Sequence, residues 1–226
     1  MPTPSLFDAL ETQERVYDHL EIPGLTVHRA FLNADEQREA LAHIDAAPWR
    51  GDLKRRVQHY GYRYDYTARK VDHTMHVGEL PPFAAAIARK LFTDGLTAEV
   101  PDQLIVNEYQ PGQGISAHVD CEPCFKDGIV TLSLGWVYEM DFISVATAEV
   151  RQTLLELGSA VVTTGESRYH WKHRIQARKS DHGIPRGRRV SLTFRNVILT
   201  ATDAEFREAM TYTLEKNAEL YRRLAK

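Results

Sequence analysis

The stretch Asn107-Glu-Tyr-Gln-Pro-Gly-Gln-Gly-Ile-Ser-Ala-His-Val-Asp120 predicts two short strands joined by a turn at Pro111-Gly112. Side chains two residues apart in an extended strand point to the same face, so His118 and Asp120 share one face and Val119 points to the opposite layer. An imidazole and a carboxylate placed in this way are able to bind one metal ion together. Two ligands do not complete a site, so a third must come from another part of the chain.

The best candidate for the third ligand lies in Gly165-Glu-Ser-Arg-Tyr-His-Trp-Lys-His173. His170 and His173 both occur there, and an offset of three places them on opposite faces of a strand. Two histidines and one carboxylate on one side of a metal leave its other coordination positions open. Such a set, with His118, Asp120 and His173, is typical of non-haem Fe(II) oxygenases.

The composition is that of a soluble globular protein, with 43% hydrophobic and 26% charged residues in a chain of 226. This length predicts one domain with a sizeable core. No apolar run is long enough to cross a membrane, and the N-terminus lacks the basic and apolar segments of a signal peptide. With two cysteines the chain is not a disulfide scaffold, and we expect a cytoplasmic monomer.

The net charge of −3 does not by itself predict a polyanionic partner. Local basic clusters nevertheless occur at 54–56, 69–70, 174–179 and 186–189. Clusters of this kind are usually solvated surface, and they leave a nucleic-acid partner open. The Cys121-Glu-Pro-Cys124 motif lacks the two further ligands of a structural zinc site, and a redox role is the less favoured alternative.

The order of helix and strand signals predicts an α+β chain with a mainly β core. Capping-box patterns at Asn33 and Thr202 predict helices to about Ala46 and Leu224, and Leu80-Pro-Pro opens another at 83–92. A first strand is predicted at 27–31. The later strands are predicted at 104–109, 115–120, 129–134, 137–142, 151–156, 159–163, 169–175 and 189–197.

Strands this short and closely spaced favour a sandwich or jelly roll over a parallel sheet. We expect residues 1–100 to supply N-terminal helices and a substrate lid, 101–200 the core, and 201–226 a C-terminal helix. Residues 67–78 are predicted to be a mobile polar loop.

Residues 57–66 alternate as a strand should, with Tyr60, Tyr62, Tyr64 and Tyr66 predicted on one face. A row of tyrosines suits a stacking platform for nucleobases or one wall of the core, and the core is the favoured interpretation.

The strand Arg189-Val-Ser-Leu-Thr-Phe-Arg195 places two guanidinium groups on one face with Ser191 and Thr193 between them. A buried arginine is costly unless an anion meets it, and arginine is suited to bind a carboxylate through two hydrogen bonds. A dicarboxylate co-substrate with one end on the metal fits this arrangement. The alternative is an edge strand whose arginines reach solvent.

Together these motifs resemble the AlkB family of Fe(II)/2-oxoglutarate dioxygenases. The resemblance rests on His118-x-Asp120, on His173 fifty-five positions later, and on Arg189 and Arg195 six apart. Asn107-x-Tyr109, Ile129-Val-Thr-Leu-Ser133-Leu-Gly and Gly165-Glu-Ser-Arg168 also match, so the resemblance is strong over 103–197. It favours His173 over His170, because only His173 lies where the Glu-Ser-Arg motif predicts.

The resemblance implies a double-stranded β-helix with Fe(II), 2-oxoglutarate and O₂ as cofactor and co-substrates. His118, Asp120 and His173 would bind the iron. Arg189 would pair with the distal carboxylate of 2-oxoglutarate, assisted by Asn107, Tyr109 and Ser133, and Arg195 would lie near the keto-acid end. Many relatives have asparagine where this chain has Ser191, which puts that contact in doubt.

The first functional hypothesis is oxidative demethylation of N-alkylated bases in single-stranded DNA or RNA. The candidate substrate contacts are Tyr60, Tyr62, Tyr64, Glu122 and Arg168, with phosphates near the clusters at 54–56 and 69–70. The Glu-Ser-Arg-Tyr-x-Trp-x-His motif also resembles the corresponding motif of AlkB-type tRNA wobble-uridine hydroxylases. Alternatives are a protein or small-molecule substrate, and a non-catalytic metal-binding jelly roll.

Overall fold

The structure is a computed structural model that describes residues 20–51 and 54–199. The helix predicted at 202–224 lies outside the described residues, as does the segment near 11–19, for which the sequence predicts partial helix. The described helices are α1 (Ala34–Ala46), α2 (Pro82–Thr93) and α3 (Gly165–Tyr169). The described strands are β1 (Leu25–His28), β2 (Val57–Tyr62), β3 (His76–Gly78), β4 (Gln103–Tyr109), β5 (Ile115–His118), β6 (Ile129–Leu134), β7 (Tyr138–Ser144), β8 (Val150–Leu155), β9 (Ala160–Thr163), β10 (Trp171–Ile175), β11 (Ser180–Asp181), β12 (Ile184–Pro185) and β13 (Arg189–Arg195).

A seven-stranded sheet in the order β1-β9-β6-β13-β4-β2-β3 forms the larger layer, and all the strand pairs that compose it are antiparallel. Its central strands β4 and β13 are buried on both faces. Because side chains alternate, β13 presents Val190, Leu192 and Phe194 to the core that contains α1 and α2. Its other face carries Arg189 and Arg195, which line a cavity. One strand thus supplies both core and candidate site.

A four-stranded sheet in the order β5-β10-β7-β8 forms the smaller layer, and it too is antiparallel. Apolar side chains of this sheet pack with Tyr109 and Val161 of the larger one. The two layers form the jelly roll that the strand pattern predicted. Within the described residues, no helix is long and apolar enough to cross a membrane.

The helix predictions in the described part are confirmed. Asn33 accepts hydrogen bonds from the backbone of Asp35 and Glu36, and the Glu36 side chain accepts one from the Asn33 backbone. This capping box starts α1 at Ala34. Proline in the first turn starts α2 at Pro82, where its missing N–H costs no hydrogen bond.

The tyrosine-rich strand is shorter than predicted, and the prediction that its four tyrosines share one face is wrong. Gly61 has φ of 74°, and the pairing of β2 with β3 shifts register between Gly61 and Tyr62. A side chain at Gly61 would lie 1.9 Å from the carbonyl oxygen of Asp102, so only glycine fits this bulge. The strand ends at Tyr62, and the regular alternation ends with it.

Further segments differ from the prediction. The first strand is Leu25–His28 instead of 27–31, and β5 ends at His118, so Asp120 follows the strand instead of lying in it. Residues 165–169 form α3, whose start is capped by reciprocal hydrogen bonds between Thr164 and Ser167, so the last ligand strand begins only at Trp171. The predicted loop at 67–78 contains a short 3₁₀ turn, His73–Met75, followed by β3, which pairs with β2.

Candidate active site

His118 and His173 lie directly opposite each other on paired strands β5 and β10. Their ring centroids are 4.3 Å apart. Asp120 follows the end of β5, and the candidate ligand atoms of the three residues all lie within 4.8 Å of one another. Antiparallel pairing therefore gathers into one cluster three residues that are up to fifty-five positions apart in sequence.

His173 and Asp120 have the protonation states that a metal ligand requires. Burial disfavours the charged forms, and the neighbouring His118 adds to this effect, so the pKa of His173 lies at about 3 and its ring is neutral near pH 7. Burial alone would raise the pKa of Asp120. The charges of Arg195 and the two histidines outweigh burial and hold that pKa below its ordinary value.

Hydrogen bonds around the cluster orient its ligand atoms. The Nδ1 of His118 lies 2.8 Å from the carbonyl oxygen of Ser116. A carbonyl only accepts, so Nδ1 carries the proton and Nε2 is free to face a metal. Arg195 donates to Oδ1 of Asp120 at 2.9 Å, which leaves Oδ2 for coordination.

The cavity beside this cluster has a volume of about 790 Å³. That is large enough to hold both a small dicarboxylate and part of a larger substrate. Its walls come from both sheets and from the segments at 54–55, 64–69 and 114–121.

Arg189 is the strongest sign of what this cavity binds. It is fully buried, and burial lowers the pKa of its guanidinium to about 10, so the group stays charged near pH 7. One nitrogen donates to the Ser133 hydroxyl at 2.8 Å, whereas Nε and Nη1 have no hydrogen-bond partner. Unpaired buried donors are rare and costly. A carboxylate at this point would satisfy both, so the residues present fit 2-oxoglutarate.

The other predicted co-substrate contacts lie around Arg189. Tyr109 pairs with it across β4 and β13, with the guanidinium carbon 5.4 Å from the ring centroid. Asn107 and Ser191 form the next opposed pair and also line the cavity. Ser133 touches Arg189 without lining the cavity itself. The structure thus brings the predicted set together, and their role as ligand contacts stays a prediction.

The predicted substrate contacts divide into two groups. Tyr64 lines the cavity, together with Tyr66. Tyr60 packs edge-on against Phe83, and Tyr62 packs against His76, and neither lines the cavity.

Glu122 and Arg168 also lie outside the cavity wall. Glu122 is exposed, and Arg168 is 3% exposed. The Arg168 guanidinium donates to the carbonyl oxygens of Asp120 and Cys121 at 3.1 and 3.4 Å. In this position Arg168 holds the turn that carries the carboxylate ligand.

Several basic side chains line the cavity, and sequence reasoning assigned the clusters at 54–56 and 69–70 to substrate phosphates but did not include Lys172. Lys54, Arg55, Arg69 and Lys172 line it, in addition to the two arginines of β13. Asp120 is the single carboxylate among the described lining residues. The clusters at 54–56 and 69–70 were visible in the sequence, but which members face the cavity depends on the fold. Lys172 directly precedes the candidate ligand His173, and this position in the sequence could have placed Lys172 near the cavity.

The remaining members of those clusters are paired elsewhere. Arg56 donates to both oxygens of the buried Glu108, and Lys70 forms an ion pair with Asp72. Within the ranges that the structure describes, no acidic side chain forms an ion pair with Lys54, Arg69 or Lys172, and all three are exposed.

Cys121 and Cys124 form a disulfide with a sequence separation of three. Such a short link closes one turn after Asp120 and does not staple distant parts of the chain, which agrees with the absence of a disulfide scaffold. Both sulfurs lie 3.3 Å from the carbonyl oxygen of Arg69. The turn therefore packs against the segment that carries a cavity-lining cation.

Comparison with known proteins supports the same chemistry. A sequence profile of the 2OG-Fe(II) oxygenase superfamily matches residues 49–195. An Arabidopsis thaliana protein named alkylated DNA repair protein ALKBH8 homolog is 38% identical over 205 residues, covering 79% of this chain and 59% of that protein. The tRNA (carboxymethyluridine(34)-5-O)-methyltransferase ALKBH8 of Mus musculus is 37% identical over 203 residues, covering 77% and 30%. The chain spans less than two thirds of either relative.

Among solved structures, that of OsALKBH1 superimposes with a TM-score of 0.56 at 21% identity, covering 79% of this chain and 98% of that one. This likeness shows the jelly-roll fold. The profile covers more than half of the chain and includes both ligand histidines, Asp120 and both arginines of β13. The chain is similar to AlkB-type proteins and belongs to the 2OG-Fe(II) oxygenase superfamily, whose chemistry depends on Fe(II), 2-oxoglutarate and O₂.

Proposed function

We propose that this dioxygenase hydroxylates an alkyl group on a base of single-stranded DNA or RNA. The observation that carries the proposal is the ring of exposed cations Lys54, Arg69 and Lys172 at the cavity that contains the candidate iron ligands. Phosphates on either side of a target base are suited to neutralise such a ring. A local positive field also attracts a polyanion although the whole chain carries a charge of −3.

The residues of the site divide the work as follows. His118, Asp120 and His173 would hold Fe(II), and Arg189 would hold the distal carboxylate of 2-oxoglutarate. When bound, Fe(II) and 2-oxoglutarate would allow O₂ to convert a C–H bond to C–OH, with succinate and CO₂ as the other products. The aromatic side chains of Tyr64 and Tyr66 line the cavity and offer a stacking surface for an unpaired base.

The product depends on which carbon is oxidised. Hydroxylation of an N-methyl group gives a hemiaminal that loses formaldehyde, so the base is demethylated. This is the reaction that we propose first, with 1-methyladenine or 3-methylcytosine as substrate. The Arabidopsis thaliana relative, which is named alkylated DNA repair protein ALKBH8 homolog, supports it.

A modified tRNA base is the second candidate, because the Mus musculus relative is named for a tRNA uridine modification. Hydroxylation of a carbon that is not bonded to nitrogen would leave the hydroxyl group on the product. The two candidates share the phosphate contacts and differ in the mass change of the base.

The test is mass spectrometry of defined substrates, with succinate followed in parallel. Oligomers of DNA and RNA that carry 1-methyladenine or 3-methylcytosine, and tRNA isolated from cells, are incubated with enzyme, Fe(II), 2-oxoglutarate and air. Loss of a methyl group with matching succinate supports demethylation, whereas a gain of one oxygen on tRNA supports the second candidate. Succinate formation without change in any nucleic acid contradicts the proposal.

The salt dependence of binding tests the cation ring separately. The double variant Arg69→Gln/Lys172→Gln should reduce the slope of log Kd against log salt by about 1.4, since each single-strand phosphate contact contributes about 0.7. Lys126→Gln is the matched control, because Lys126 is exposed, pairs with Glu99 and lies outside the cavity. Equal slopes for wild type and double variant would show that these cations contact no phosphate.

A further inference from the structure

Arg55 contacts one of the candidate 2-oxoglutarate residues directly. Its Nε donates to Oδ1 of Asn107 at 2.8 Å, and its guanidinium carbon lies 5.8 Å from the centroid of the Tyr109 ring. The buried Arg189 faces the same ring at 5.4 Å. Arg55 therefore lies beside the co-substrate part of the cavity, apart from the exposed ring of Lys54, Arg69 and Lys172.

The hydrogen bond to Asn107 has a consequence for the orientation of its amide. A carboxamide has an accepting oxygen and a donating nitrogen, whereas a guanidinium only donates. Arg55 therefore requires that Oδ1 of Asn107 point toward it, which turns Nδ2 the other way. 2-Oxoglutarate carries carboxylate and keto oxygens that only accept. The orientation that Arg55 imposes is the one that such a ligand needs.

The neighbouring residues hold Arg55 in place. Arg56 points to the other side of the segment, where it donates to the Glu108 carboxylate at 2.6 and 2.8 Å. The backbone N–H of Glu108 donates in turn to the carbonyl oxygen of Arg56 at 3.0 Å. Two successive residues of one segment thus bind two successive residues of β4. This double contact fixes the register in which Arg55 meets Asn107.

We infer that Arg55 is a positioning residue for 2-oxoglutarate: it orients the Asn107 amide toward the co-substrate. The inference rests on the 2-oxoglutarate chemistry of the superfamily and is independent of the proposed nucleic-acid substrate. It concerns a residue that the sequence motifs of the core do not include.

The test measures 2-oxoglutarate binding by calorimetry to protein loaded with Mn(II), which replaces Fe(II) without turnover. Arg55→Met removes the donor and the charge and should raise Kd about 10-fold, as expected for a lost charged hydrogen bond. Arg55→Lys keeps a donor and a charge and should raise Kd no more than about 3-fold. Arg63→Gln is the charge control, because Arg63 is exposed and does not line the cavity.

A double-mutant cycle with Asn107→Ala separates positioning from simple charge. If Arg55 acts through Asn107, Arg55→Met should change Kd by less than about 2-fold once Asn107 is alanine. In turnover, Arg55→Met should raise KM for 2-oxoglutarate more than it lowers kcat. Thermal unfolding without ligand identifies any variant that fails to fold.

Two results would overturn the inference. One is a Kd for Arg55→Met within 2-fold of wild type in a folded protein. The other is an effect of Arg55→Met that adds fully to that of Asn107→Ala. Both are measured without nucleic acid, so neither depends on whether the proposed substrate is correct.

Discussion

Replacing Arg189 by methionine should stabilise the ligand-free protein and abolish its binding of 2-oxoglutarate. Two buried donors of Arg189 have no partner, and each costs about 1–3 kcal/mol. Their removal is opposed by loss of the Ser133 hydrogen bond, about 1 kcal/mol, and by imperfect packing of the new side chain, about 1–2 kcal/mol. The midpoints of these ranges, about 4 kcal/mol gained against about 2.5 kcal/mol lost, leave a gain of about 1.5 kcal/mol in the free energy of unfolding.

Thermal unfolding measures this gain. For a chain of this size 1 kcal/mol corresponds to about 2–4 °C, so the Tm of ligand-free Arg189→Met should rise by about 3–6 °C. In the presence of saturating Mn(II), adding 2-oxoglutarate should raise the Tm of wild type further but leave that of the variant unchanged. Arg189 would then be a residue that lowers the stability of the ligand-free protein and is required for 2-oxoglutarate binding.

Arg186→Met is the matched control. Arg186 is 4% exposed, but its Nε and Nη2 donate to the Asp181 carboxylate at 2.6 and 2.8 Å. Removing this cation breaks its hydrogen bonds to the Asp181 carboxylate, which keeps only Arg178 as a cationic partner, so this variant should lose about 1.5–3 kcal/mol. A ligand-free Arg189→Met that is also destabilised, or that still responds to 2-oxoglutarate, would refute the argument from unpaired donors.

Two further predictions concern the supports of the site. The pKa of Glu108 lies at about 2 instead of 4.5, because Arg56 and then Arg188 bond to its charged form. The contribution of Glu108 to the free energy of unfolding is therefore complete above about pH 4.5 and is lost as pH falls toward 2. In urea unfolding, wild type should be more stable than Glu108→Gln at neutral pH. This difference should shrink by up to about 3 kcal/mol between pH 4.5 and 2. A side chain at Gly114 would lie 2.3 Å from the Ile175 carbonyl oxygen, so Gly114→Ala should shift β5 against β10 and weaken Fe(II) binding. Gly51→Ala, with open space around it, should leave the Fe(II) affinity unchanged in the same titration.

The strands that carry the candidate site could be predicted because their sequence pattern is local. Arg189, Ser191, Thr193 and Arg195 alternate with apolar residues, and a strand with two buried faces places them together whatever the rest of the chain does. The sequence also brought His118 and Asp120 to one site, although β5 ends at His118 and Asp120 lies just beyond the strand in which it was predicted. The resemblance then selected His173 from two neighbouring histidines.

Other features depend on contacts between distant segments, and no local pattern contains them. The bulge at Gly61 arises from the close approach of Asp102, and it ends the row of tyrosines that the sequence predicted. Arg168 holds backbone carbonyls forty-seven and forty-eight residues away. Arg55 reaches Asn107 across fifty-two residues. Such contacts require the packed structure.

The central claim is that His118, Asp120 and His173 hold one Fe(II) ion. An anaerobic titration of Fe(II) into wild type and into the variants His118→Ala, Asp120→Asn and His173→Ala tests it directly. His170→Ala is the control, because His170 follows α3, is exposed and does not line the cavity. Binding of one equivalent by wild type and His170→Ala, with strong loss in the three ligand variants, is the predicted result. Undiminished binding in folded His173→Ala, or loss in His170→Ala, would contradict the assignment.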